Sequence, residues 1–322
     1  MNELKTSVRL LFREVFVFFK SDFHILSYCY VFTFILLGVI INYQTGFYQN
    51  VMRNSYFTGD SVWMFPLFYS LMYFAAIIPA LLLQKDQRLL RNRKFYIKSL
   101  FIIILYGVSI GYYGYAGWTF NSLPGEEKMF AFKIISQLKG SAFFIAPVYL
   151  LKVSYDKHVE GIYGLGSNTK HIPAYLVLFL ALLPFIIGIS FTPDFRHAYP
   201  QFHPWRFGEV FGMPLWLNTF LYEITYGIDF LKTELIFRGL LVIGMAKIMG
   251  KKSVLPMAAM YVAIHFGKPL GETLSSIFGG YILGALAYQT RHIWGGVIVH
   301  ICIALSMEIM GFVQFYLLGN NP

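Results

Sequence analysis

Residues 229–243 read Asp-Phe-Leu-Lys-Thr-Glu-Leu-Ile-Phe-Arg-Gly-Leu-Leu-Val-Ile, which places Asp229, Lys232, Glu234 and Arg238 on one otherwise apolar stretch. Four more ionisable groups follow in equally apolar surroundings: His265, Glu272, His300 and Glu308. A charged side chain near the centre of a bilayer costs about 2.5–3.5 kcal/mol even on a lenient insertion scale. Such groups therefore face one another, and they mark a reaction centre, an ion path or a buried structural network.

The rest of the chain says that a bilayer is its solvent. Of 322 residues, 57% are hydrophobic and 13% are charged, against about 25% charged in an ordinary soluble domain. Apolar runs near the roughly 20 residues a spanning helix needs occur at 24–43, 62–84, 96–115, 136–152, 172–191, 229–249, 253–268, 271–289 and 293–318. The expected fold class is all-α, a polytopic integral membrane helical bundle with eight or nine transmembrane helices. The N-terminus spreads Lys5, Arg9, Arg13 and Lys20 among apolar residues and lacks the compact core and cleavage site of a signal peptide, so it reads as an amphipathic surface helix. Cys29 and Cys302 lie in apolar runs and form neither a disulfide framework nor a metal-ligand spacing.

The net charge of +10 would suggest nucleic acid in a soluble protein, but here the cations sit in short loops between spans, where they report topology. With a cytoplasmic N-terminus, the inner loops hold seventeen Lys and Arg, six of them between Lys85 and Lys98, and the outer loops hold seven. That balance requires 211–249 to cross once, with 211–228 as an interfacial or re-entrant lead-in. Localisation is read as the cell membrane, multi-pass. All five tryptophans, Trp63, Trp118, Trp205, Trp216 and Trp294, fall near span ends, as interface anchors do. His197 and His203 share a Pro-rich loop, where the plain reading is two solvated histidines. The charged groups of the last spans divide the chain into an N-terminal membrane scaffold, residues 1–210, and a C-terminal polar-cored bundle, residues 211–322.

Glu234 and Arg238 are four apart, on one helix face, and can pair; Asp229 and Thr233 share a face turned by roughly 100°. The run Thr233-Glu234-Leu235-Ile236-Phe237-Arg238-Gly239 resembles the first motif of the CPBP intramembrane protease family, which includes CAAX prenyl endopeptidases and bacteriocin-processing or immunity proteins. That motif is two glutamates, three apolar residues ending in Phe, then Arg-Gly. Tyr261 to His265 is similar to the second motif, an aromatic residue four before a histidine, and His300 to Ala304 to the third, a histidine four before Asn or Asp. The match covers roughly residues 220–315.

The resemblance implies glutamate- and histidine-activated water hydrolysing a peptide bond at the membrane, with no cofactor and no metal. The catalytic candidates are Glu234, His265 and His300, with Arg238 as structural counter-ion. Glu308, Thr233, Asp229 and Ala304 are further candidates for the site or its cavity. Two positions depart from the pattern. The first glutamate is Thr233, which cannot act as a base near neutral pH, and the Asn of the third motif is Ala304, whose side chain donates no hydrogen bond. Straight helices rising 1.5 Å per residue put Glu234, His265 and Glu308 at one depth, so that Glu308 or Glu234 becomes the expected base beside His265, with His300 as oxyanion donor. The implied partner is a membrane-associated peptide or protein, lipidated substrates included, in a lipid bilayer and without nucleic acid. The rival is a non-catalytic family member that binds a membrane partner or peptide in an immunity or scaffold role. A proton-coupled transporter would use the same groups, but no repeated pair of broken helices is present.

Overall fold

The computed structural model describes residues 2–117, 122–159, 161–166 and 171–319, with side chains from residue 6 onward. Trp118 and Lys170 lie outside the described residues, as does the side chain of Lys5. The chain forms α1 (Asn2–Asp22), α2 (Ile25–Thr45), α3 (Ser55–Thr58), α4 (Ser61–Leu83), α5 (Gln87–Leu90), α6 (Arg93–Gly111) and α7 (Gly125–Ser154). It continues with α8 (Ile172–Ile189), α9 (Pro193–Ala198), α10 (Leu215–Glu234), α11 (Ala246–Met249), α12 (Val254–Ala263), α13 (Leu270–Thr290) and α14 (Trp294–Phe312). Among the described residues there is no β-strand, only one isolated bridge between Val210 and Met213.

Among the described residues, seven helical segments are long and apolar enough to cross a membrane: Ile25–Thr45, Ser61–Leu83, Arg93–Gly117, Gly125–Ser154, Ile172–Ile189, Leu270–Thr290 and Trp294–Leu317. The protein is a multi-pass membrane protein. The expected eight or nine spans therefore come down to seven by this measure, and the two runs that drop out are those on either side of Gly250. Residues 235–243 are wound as a π-helix directly after α10, and the stretch expected as an interfacial or re-entrant lead-in, 211–228, runs into the first part of α10. The run at 253–268 yields only α12, ten residues long, which at 1.5 Å per residue reaches about 15 Å, half the hydrocarbon thickness. Every residue of α12 is buried. It is apolar because protein surrounds it, and periodicity cannot separate that case from lipid contact.

Close approach sets the packing of the scaffold. A Cβ on Gly107 would stand 2.5 Å from the Pro66 backbone, and one on Gly111 would stand 2.2 Å from the Ser61 carbonyl, so α4 and α6 touch backbone to backbone. Ser61 adds a hydrogen bond to the Gly111 carbonyl at 2.6 Å. The N-terminal helix α1 docks rather than standing free. Leu11 and Phe18 are buried, Leu11 beside Tyr175 and Leu286, and Phe18 edge-on to Tyr281 and Tyr288. One continuous apolar cluster joins Tyr73, Ile102 and Phe144 of the N-terminal helices to Phe237, Met260 and Tyr261. Trp63, Trp216 and Trp294 stand within the first three residues of α4, α10 and α14.

Candidate functional site

The end of α10, the π-helical turn after it, α12 and α14 bring the charged residues together. Glu234 is the last residue of α10, fully buried, and its Oε1 meets the Arg238 guanidinium at 2.9 Å. The same oxygen accepts a hydrogen bond from His300 Nδ1 at 2.6 Å. His300 Nε2 is hydrogen-bonded to the Tyr261 hydroxyl. In neutral His300 the assignment is self-consistent: Nδ1–H donates to the carboxylate and Nε2 accepts from the phenol. The Tyr261 ring lies under the Arg238 guanidinium at 4.2 Å, a cation–π contact worth about 2 kcal/mol when desolvated.

Tyr261 also holds the second histidine. His265 lies one turn on, just beyond the end of α12, and its Nδ1 donates to the Tyr261 carbonyl at 2.8 Å. A backbone carbonyl can only accept, so the proton is fixed on Nδ1 and the lone pair on Nε2 is left available. Thr273, in the first turn of α13, donates to the His265 carbonyl at 2.6 Å and fixes that turn against the next helix. Glu272, beside Thr273, carries a charge close enough to act on His265, and it accepts a hydrogen bond from Tyr199 at 2.7 Å.

The depth arithmetic that grouped Glu234, His265 and Glu308 does not describe this arrangement. Glu234 takes His300 and Arg238 as its partners. The cause is local: the chain after Glu234 is π-wound, with i→i+5 bonding and hence a different rise from an α-helix, and α12 ends before His265. Glu308 is eight residues beyond His300 on α14, about 12 Å along the axis. Both of its oxygens accept from the Gln201 backbone N–H, at 2.8 and 2.9 Å, and Glu223 of α10 lies close enough for the two carboxyls to act on each other. Glu308 thus anchors the 199–202 loop, close enough to Tyr199 and Lys268 for the charges to act on one another.

The remaining candidates are placed as follows. Thr233 turns its hydroxyl back to the Asp229 carbonyl at 3.1 Å. Asp229 pairs with Lys232, and both line a cavity of about 250 Å³ shared with Lys139 and Tyr115. Ala304 is buried one turn after His300. His203 is the loop histidine with a cationic setting: burial, then Arg206 and Lys133, push it down to about 4. Among the described residues no group of three His, Cys, Asp or Glu is arranged to hold a metal ion.

Three contacts of the site are not given by the motifs themselves. Phe230 stacks on His300 at 5.4 Å between centroids. The Tyr261 hydroxyl joins the motif aromatic residue to the other histidine. Gly296 lies against the carboxylate, where a Cβ would stand 2.1 Å from Glu234 Oε2. The last had a signal, since Gly296 precedes His300 by four residues and so shares its helix face. Glu234 Oε2 itself has no hydrogen-bond partner. The first two depend on side-chain orientation alone.

Comparison with known families gives a match over residues 215–306 to the family described as type II CAAX prenyl endopeptidase Rce1-like. No curated protein and no solved structure matches the chain. The matched segment begins with α10 and ends within α14, so it contains Glu234, Arg238, Tyr261, His265 and His300 together. The chain is a multi-pass membrane protein, and its residues 215–306 are similar to the Rce1-like type II CAAX prenyl endopeptidases.

Proposed function

We propose that the protein is an intramembrane endopeptidase that hydrolyses a peptide bond in a membrane-associated, lipidated substrate, with His265 as the general base. The observation that carries this reading is the hydrogen bond from His265 Nδ1 to the Tyr261 carbonyl, which in the neutral ring places the basic lone pair on Nε2. Water gives a proton to Nε2 as its oxygen attacks the scissile carbonyl. The imidazolium returns that proton to the amide nitrogen as the C–N bond breaks, giving one new carboxyl and one new amino terminus. Glu272 favours the imidazolium by its charge.

Glu234 has a different task in this account. Its Oε1 already pairs with the Arg238 charge and accepts from His300, so it serves as the anchor that fixes the His300 tautomer. Through His300 it orients the Tyr261 hydroxyl, which can turn from Nε2 to the developing oxyanion. Preorganised donors of this kind contribute about 2.7–4 kcal/mol. Residues 1–210 act as the scaffold and 211–322 as the reacting core. The 85–98 segment faces the cytoplasm, which labelling of a cysteine introduced at Arg88 checks: reaction in intact cells without permeabilisation contradicts this orientation.

The test is cleavage of a prenylated peptide by the purified full chain, followed by mass spectrometry. Wild type is expected to cleave slowly, and Thr233→Glu with Ala304→Asn, which restores the family pattern, to cleave faster. If wild type binds the peptide and leaves it intact, the chain is a binding member of the family.

A further inference from the structure

Away from the histidine cluster, at the end of the bundle where α11 follows the π-helical turn and α13 gives way to α14, lies an open cavity of about 330 Å³. It is lined by His158, Val159, Ile243, Ala246, Lys247 and Arg291. The polar side chains among these are three nitrogen bases, brought from three separate segments, and none makes an ion pair with a carboxylate among the described residues.

The wall carrying His158 is held in place by a buried network. Asp156, fully buried, pairs with Lys98 at 2.5 Å and accepts from the Tyr163 hydroxyl at 2.8 Å. Lys98 also donates to the Gly244 carbonyl at 2.6 Å, and Lys152 donates to the carbonyls of Asp156 and Val159. On the far side, Ile293 N–H donates to the Gly164 carbonyl at 3.2 Å, and Trp294 Nε1 donates to the Gly166 carbonyl at 2.8 Å. Asp156 is an acid near the rim that pairs with Lys98. Burial first, then Lys247, with Lys98 and Lys152, hold His158 below its ordinary value against the opposing charge of Asp156.

We propose that this cavity binds a phosphate-bearing anion, the headgroup of an acidic phospholipid or a free phosphate ester. Basic pockets between helix ends recognise headgroups in this way, through cations near the membrane surface. The cavity sits at helix ends, and Trp294, an amphipathic interface residue, opens α14 three residues after the lining residue Arg291. Lys247 and Arg291 clamp the phosphate oxygens, and His158 completes the cradle by donating one ring N–H. The inference stands apart from catalysis and survives if the chain cleaves nothing.

The experiment uses purified full chain in a zwitterionic detergent, titrated with phosphatidylglycerol in mixed micelles, with retained lipid counted by native mass spectrometry. Arg291 has φ 59°, a conformation Asn tolerates better than most residues, so the cavity variant is Lys247→Gln with Arg291→Asn. Apparent affinity should fall at least tenfold. The control Arg88→Gln with Lys94→Gln removes the same charge elsewhere and should bind as wild type. Lys247→Gln alone, at an exposed position, covers the case in which the double variant fails to fold and should lose at least threefold. Displacement of the lipid by millimolar inorganic phosphate identifies the phosphate group as what is read; retention of the lipid in that arm identifies the whole headgroup. Equal loss in the control, unchanged binding in the cavity variants, or equal retention of phosphatidylcholine overturns the proposal.

Discussion

The helix α2 and the helix α12 are similarly apolar in sequence and opposite in setting. Over α2, 28% of the window is buried and Phe32, Leu37, Ile40 and Ile41 face outward; over α12 every residue is enclosed. A lipid-facing helix must satisfy its whole backbone and span the full thickness. A protein-enclosed one is free of both limits, and broken or π-wound backbone is tolerated there. The functional candidates gather where that freedom exists: Glu234 borders the π-helical turn, Arg238 is inside it, and His265 lies past the end of the short α12. Polarity and irregular backbone are thus two consequences of one enclosure.

The sharpest way to break this contrast is to strand a charge in the enclosed region. Arg238→Ala leaves Glu234 buried without its counter-ion and should cost about 3–5 kcal/mol, read as lost folded yield and lowered Tm. The double variant Glu234→Gln, Arg238→Met removes both charges and should recover most of that loss. Equal yields for the two would mean the pair is not enclosed.

Glycines test the same contrast at smaller scale. In Gly296→Ala the new methyl meets Glu234 Oε2 at 2.1 Å, and overpacking of this kind costs about 1–3 kcal/mol, with activity falling as the carboxylate shifts off His300. Gly227→Ala, in α10 with nothing within 4 Å of its Cβ, should stabilise by about 0.5–1 kcal/mol through helix propensity. Thermal unfolding in one detergent orders the three proteins, and a Gly296→Ala protein as stable as wild type would contradict the tight site.

The smallest effect belongs to the exposed rim. Asp86 pairs with Lys252 at 2.5 Å, and that hydrogen bond holds its carboxyl below the ordinary 3.8. A lowered carboxyl stabilises fully above its unfolded value and loses that contribution as pH falls through the folded one. The Tm difference between wild type and Asp86→Asn should therefore shrink below about pH 4, and even at neutral pH it should correspond to no more than about 1 kcal/mol. A difference that grows on acidification contradicts the sign.

Much of this was legible in the chain. Apolar run length located the lipid-facing helices, and the four-residue spacing of Glu234 and Arg238 allowed the pairing seen at 2.9 Å. What escaped was whatever depends on backbone winding or on partners without a side-chain code. His300 reaches Glu234 because residues 235–243 leave the α-helical rise. Glu308 is spoken for by the backbone N–H of Gln201, which no sequence pattern marks. Lys98, counted with a basic loop, is one turn inside α6 and buried against Asp156, because a single cation reads the same whether it is solvated or paired. The match over 215–306 covers the charged cluster around Glu234 and leaves the helices before it to be read from physical pattern alone.

The central claim is that Tyr261 aims two histidines, with His265 as base and Glu234 as anchor. Its most direct test is the turnover of a prenylated peptide by His265→Gln and Tyr261→Phe at matched folded fraction. General-base loss should lower kcat by about 10²–10⁴ in His265→Gln. Tyr261→Phe keeps the carbonyl that holds His265 and loses only the hydroxyl on His300, so it should fall by a smaller factor with its pH profile unchanged in shape. Wild-type turnover in His265→Gln would contradict the account.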